Sequence, residues 1–197
     1  MGSIIGYGLH QYRTSADNKA VILNDEEVSD QPEGGNGKTL LVNAMGKLRK
    51  LVIKDGKNFD SKSSFLWSDV DETTGIVLID DVNNKFNIEN LFSTISNGFN
   101  IQIKFKNQYH LRLEKSPVVF ITTNNIIRGA SSSFMRRQYN VDIYQYFSNK
   151  HTPKKEFGHI FLTIGITKNG PNSTFLCFTV FAFIWVMEFK LFQKIIL

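Results

Sequence analysis

The sequence predicts an α/β domain with a mostly parallel sheet, and three observations carry that expectation. Two four-residue apolar runs, 76–79 (Ile-Val-Leu-Ile) and 118–121 (Val-Val-Phe-Ile), end abruptly in polar residues, as strands buried on both faces do. A shorter run at 19–23 (Lys-Ala-Val-Ile-Leu) leads into a loop rich in chain breakers. Directly after that loop, Leu40, Leu41, Ala44, Met45 and Leu48 recur at helical spacing. Helical patterns set between buried strands are the mark of the α/β class.

Taken in order, residues 1–18 mix Gly, Tyr, His and Arg and read as a short helix or an entry into a larger assembly. A strand at 19–23, the breaker loop at 30–37 and a helix from Lys38 follow. Residues 50–53 and 65–67 are short and ambiguous, 76–79 is a strand, and 88–95 suits a helix. Residues 101–106 and 110–113 alternate with period two around Asn107-Gln108, which predicts a hairpin turning there. The 118–121 strand closes the set.

The chain has 197 residues, a formal charge of +5 and 42% hydrophobic residues, so it can bury a sizeable core. Its one cysteine, Cys177, excludes an internal disulfide scaffold and a multi-cysteine zinc site. His10, His151 and His159 form no ligand spacing, and no Ser/His/Asp arrangement stands out. Without a basic region, apolar stretch and cleavage site at the N-terminus, a cytoplasmic protein is expected.

Gly34-Gly35-Asn36-Gly37-Lys38-Thr39, between a strand and a helix, has the form of a loop that wraps a phosphate with backbone N–H groups. Lys38 would reach the β- and γ-phosphates of ATP, and the Thr39 hydroxyl would ligate Mg²⁺. The first glycine of the usual G-x-x-x-x-G-K-[ST] pattern is replaced by Pro32. A glycine turn with a surface lysine is the plain alternative.

Asp80 and Asp81 close the 76–79 run, where a nucleotide site places an acid for Mg²⁺ and another for water. Asp80 is assigned to the metal and Asp81 to polarising water; alone, the pair would be a capping turn. Asn124, beyond the 118–121 run, could meet the γ-phosphate or its attacking water, or be a turn residue. Arg136 and Arg137 suit either a transition-state cation or a solvated pair. Lys104, Lys106, His110 and Arg112 surround Phe105 and Tyr109. Such interleaving fits single-stranded nucleic acid or an edge hairpin protected by charge.

The ordered phrases Ser29-Asp30-Gln31-Pro32-Glu33-Gly34-Gly35-Asn36-Gly37-Lys38-Thr39, Ile79-Asp80-Asp81-Val82, Thr122-Thr123-Asn124 and Arg136-Arg137 resemble superfamily 3 helicases. Thr152-Pro153 and Glu156-Phe157-Gly158 extend the match. Within that superfamily the chain looks like the helicase-like domain of phage and plasmid primase-helicases and primase-polymerases. The resemblance implies an AAA+-like P-loop NTPase fold over 19–160, truncated at its C-terminal end, after an N-terminal segment 1–18. It also implies a hexameric ring that hydrolyses ATP with Mg²⁺, moves on single-stranded DNA and works with a primase or polymerase domain in replication of a mobile element. Lys38, Thr39, Asp80, Asp81 and Asn124 become the nucleotide site. Arg137, ahead of Arg136, becomes the finger acting on a neighbouring subunit, and Lys106 and His110 the DNA-contacting tip.

Residues 161–197 break the composition, holding 7 of the 17 Phe and only 1 of the 18 acidic residues. Residues 169–187 carry no charge over 19 positions, close to the roughly 20 that a membrane helix needs. A frameshift is the other reading. Codons for 161–174 can be chosen that, one register away, encode Phe-Asp-Asp-Trp-Asp-Asn-Lys-Glu-Trp-Pro-Lys-Phe-Asp, which resembles the continuation expected in that family. The tail is accordingly expected to stand outside the domain fold.

Overall fold

The computed structural model describes residues 2–10, 12–25, 36–125, 127, 132–144, 152 and 155. Gly34, Gly35, Pro32 and the 161–197 tail lie outside them. Seven strands and four helices are present among the described residues. The central sheet comprises β1 (Ala20–Asp25), β2 (Lys50–Asp55), β3 (Thr74–Val82), β6 (Val118–Thr123) and β7 (Gln138–Ile143). Its order is β2-β3-β6-β1-β7, and every neighbouring pair is parallel. The protein therefore has an α/β fold with a five-stranded parallel sheet.

Connection handedness decides which elements cover which face. Along that order the chain steps leftward once, from β1 to β2, and rightward three times. Right-handed crossovers must put the one leftward connection on one face and the others on the opposite face. The core agrees. Helix α2 (Lys38–Met45) buries Leu41, Val42 and Met45 against Val21, Leu23, Ile76, Leu78 and Phe120. Helix α1 (Gly2–Leu9) shares that face through Ile5 and Tyr7, and the Tyr7 hydroxyl accepts from the Lys19 amide at 2.7 Å.

The opposite face, formed by the alternate residues Ala20, Ile22, Val77, Ile79, Val119 and Ile121, packs against Trp67, Val70, Leu91, Ile95 and Phe134. These belong to the three rightward connections, which include α3 (Phe92–Asn97) and α4 (Ser132–Arg136). Because the inner strands β1, β3 and β6 each bury both of their period-two sets, their apolar runs are continuous rather than alternating.

Two local expectations are corrected, and one strand, β7, has no counterpart among the expected elements. Residues 88–95 do not form one helix: a 3₁₀ turn, Ile88–Leu91, precedes α3. The Asn87 side chain caps that turn by accepting from the Glu89 amide at 2.9 Å. The hairpin is β4 (Gly98–Ile101) with β5 (Tyr109–Arg112), joined by the longer loop 102–108 instead of a turn at 107–108. Gly98 sets this register: its φ of 102° is open to glycine, and a Cβ there would meet the Leu111 carbonyl at 2.2 Å. Finally, β7 carries no apolar run because it is an edge strand buried only at its two end residues, with half-buried and exposed residues alternating between them. Among the described residues, no helix is long and apolar enough to cross a membrane.

Candidate functional site

Ligands of open parallel sheets bind beyond the C-terminal strand ends, where successive connections leave in opposite directions. That point falls between β1, whose connection runs leftward, and its neighbour β6, whose connection runs rightward. Gly37 turns the chain into α2 with φ 92° and ψ 4°, a left-handed conformation suited to glycine. Lys38, the first residue of α2, is 7% exposed. Its ammonium donates to Asn124 Oδ1 at 2.6 Å and pairs with Asp25 at the end of β1. Asn36 Nδ2 also donates to Asp25 Oδ1, at 2.5 Å, while Asn36 Oδ1 is buried without a hydrogen-bond partner.

The next residue of α2, Thr39, donates to Asp80 Oδ1 at 2.7 Å. Thr122, on β6, donates to that same oxygen at 2.7 Å. Asp81 adopts φ 57°, uncommon for a residue other than glycine. The cause lies in the ladder: Ile79 is opposite Ile121 but Val82 is opposite Thr123, so β3 has one residue more than β6. That bulge turns two consecutive carboxylates toward one cluster. Asp81 faces Asn124, 3.4 Å from Oδ1 to Nδ2, and Lys57, 2.7 Å from Oδ2 to Nζ. The hydrogen bond and negative charge of Asp81 hold the Lys57 ammonium above its ordinary range. From the β2 side, the Gly56 amide donates to the Asp80 carbonyl at 2.7 Å.

Asn36, Gly37, Lys38, Thr39, Asp80, Asp81 and Asn124, drawn from three separate stretches, thus meet at the ends of three adjacent strands. Asp25, Gly56, Lys57 and Thr122 join them without having been assigned a role from the sequence. An Asp at the last position of the 20–25 strand was the available signal for Asp25. The others are set by cross-strand register and left no local one.

The arginines lie toward the opposite ends of the strands: the Arg137 carbonyl accepts from the Ala20 amide at the start of β1. Arg137 Nε donates to Ser96 Oγ at 2.8 Å, its Nη1 to the Ser133 carbonyl at 3.1 Å, and its guanidinium sits 5.0 Å from the Phe92 ring centroid. Arg136 is exposed and donates to the Ser132 carbonyl at 3.3 Å. In the hairpin, Lys104, Phe105 and Lys106 occupy the tip loop, and Phe105 has φ 61° with its whole ring in solvent. Lys104 reaches back over Phe65, 5.6 Å from the ring centroid. His110 is on β5 rather than the tip; its ring contacts Asn100 Oδ1 at 2.7 Å and the Asn97 carbonyl at 3.0 Å.

No family model matches the sequence, and no curated protein matches it. A solved structure similar to this one is the A form apo structure of the NrS-1 C-terminal region, with a TM-score of 0.47 and 13% identity. The likeness covers 76% of this chain, which spans 37% of that one.

Proposed function

We propose that this chain is a P-loop ATPase domain of the superfamily 3 helicase kind, which drives movement along single-stranded DNA in the replication of a phage or mobile element. One observation carries the reading: Lys38, Thr39, Asp80, Asp81 and Asn124, chosen by residue chemistry, converge at the switch point of a parallel sheet. The quoted sequence phrases supply the helicase class, the ring of six subunits and the primase or polymerase partner.

Lys38, with the amides of the Gly37–Thr39 turn, binds phosphate oxygens; a buried ammonium in a polar cluster answers an anion strongly. Thr39 and Asp80 present a hydroxyl and a carboxylate oxygen 2.7 Å apart, hard donors that suit Mg²⁺. When bound, that ion neutralises phosphate charge. Asp81 accepts the proton of the attacking water, and Asn124, in contact with both Lys38 and Asp81, orients it. The Lys104-Phe105-Lys106 tip meets the DNA strand through phosphate pairing and base stacking. Arg136, exposed, reaches a neighbouring subunit by giving up one bond to the Ser132 carbonyl, whereas Arg137 must leave both Ser96 and the Ser133 carbonyl.

Lys38→Ala is expected to bring ATP turnover to background, measured as phosphate release with and without single-stranded DNA. Unchanged turnover would sink the reading. A second reading, nucleotide binding without hydrolysis, is favoured by the engagement of Arg137 within its own chain. It predicts ATP binding that Lys38→Ala abolishes, without DNA-stimulated phosphate release in the parent protein.

A further inference from the structure

We infer that Thr122 is a positioning residue that sets the direction of both carboxylates through a single hydroxyl. The inference rests on the nucleotide-site reading for its consequence and on β-sheet geometry for its cause. In a regular ladder, consecutive residues point to opposite faces of the sheet, so Asp80 and Asp81 could not serve one site. The extra residue in β3 breaks that alternation, and in doing so takes the Asp81 amide out of the β3–β6 ladder. An amide left out of the ladder in this half-buried position needs another partner.

Thr122 Oγ supplies it, accepting from the Asp81 amide at 2.8 Å. The hydroxyl has one proton, and that proton goes to Asp80 Oδ1 at 2.7 Å. Accepting from one residue and donating to the next, the oxygen fixes the pair together. Thr122 is 2% exposed, and its neighbour Thr123 faces elsewhere, donating to the Val82 carbonyl at 3.1 Å. Asp80 is thereby turned toward Thr39, and Asp81 holds its left-handed backbone facing Asn124. No role for this residue follows from its type, since a threonine at the end of a strand is otherwise an ordinary β-former.

The experiment compares the full chain with Thr122→Val, which keeps the shape and loses the oxygen, and Thr122→Ser, which keeps the oxygen. Amide hydrogen exchange at Asp81, followed by NMR without nucleotide or metal, is expected to be at least about tenfold faster in the Val variant only. Half-saturating Mg²⁺ for ATP turnover should rise about 10–100-fold in the Val variant, the range for lost support of a metal ligand. Nucleotide binding in EDTA should stay within about twofold, and Ser should restore the Mg²⁺ dependence. Equal exchange in all three proteins, or a Ser variant as impaired as Val, overturns the inference. If the parent protein binds no nucleotide while the exchange contrast persists, the nucleotide reading fails and the pinning of the two acids stands.

Discussion

At the strand ends, Lys38 is buried against Asp25 and Asn124; at the hairpin tip, Lys104 and Lys106 stand in solvent around a fully exposed Phe105. The first region is a closed network in which Asp80 alone receives bonds from Thr39 and Thr122 on two different elements. At the tip, among the described residues, neither lysine is paired with a carboxylate. The contrast separates two ways of using a cation. A small, highly charged ligand rewards groups held in place before it arrives. A flexible polymer rewards accessible charge and ring surface, with little dependence on exact placement.

The comparison breaks most readily at Gly56, for which the largest effect is expected after loss of Lys38. A Cβ there would lie 2.4 Å from the Asp80 carbonyl and 2.8 Å from the Val82 amide. Those are backbone atoms, so the neighbouring strand itself must give way. Gly56→Ala should cost about 1–3 kcal/mol of stability in urea unfolding. It should also lower ATP turnover about a hundredfold, because a displacement near 1 Å in positioned groups costs that much. DNA affinity should be unchanged. A variant with full turnover would show that the acids are not held by the β2–β3 approach.

What the sequence made legible follows the same division. Lys38, Asp80 and Asn124 could be picked out because each is a polar residue at the end or start of a strongly patterned element. The parallel α/β class was readable for a similar reason: central strands bury both faces and become continuous apolar runs. Asp25, Gly56, Lys57 and Thr122 act through contacts with residues 11 to 42 positions away along the chain, and no local pattern encodes such pairing. The edge strands β2 and β7 were illegible because half-exposed strands carry mixed residues. In the hairpin, alternation was visible, but the turn position depended on the backbone of Gly98, three residues before the alternating stretch began.

A change at the hairpin tip sharpens the comparison from the other side. Phe105 contributes no buried surface, so Phe105→Ala should leave stability within about 0.5 kcal/mol. If the ring stacks on a base, single-stranded DNA binding should weaken by about 1–3 kcal/mol, read by fluorescence anisotropy of a labelled oligonucleotide. Basal ATP turnover should not move. Equal affinity in the two proteins would remove Phe105 from the interface, and a large fall in stability would contradict its exposure.

The smallest effect is expected at Lys106, and its signature is a slope rather than a midpoint. A lysine that neutralises one phosphate of a single strand releases about 0.7 of a counterion. Lys106→Ala should therefore make the plot of log affinity against log salt shallower by about 0.7, with the largest loss of affinity at low salt. The two proteins should converge as salt rises, because an exposed cation is screened over a few ångströms at high ionic strength. A parallel shift at every salt concentration would mean that Lys106 supports the loop instead of pairing with phosphate. An unaltered slope and affinity would place the DNA path elsewhere on the surface. The same titration of Lys38→Ala should give the parent slope, since a buried lysine already paired with Asp25 has no counterion from the strand to release.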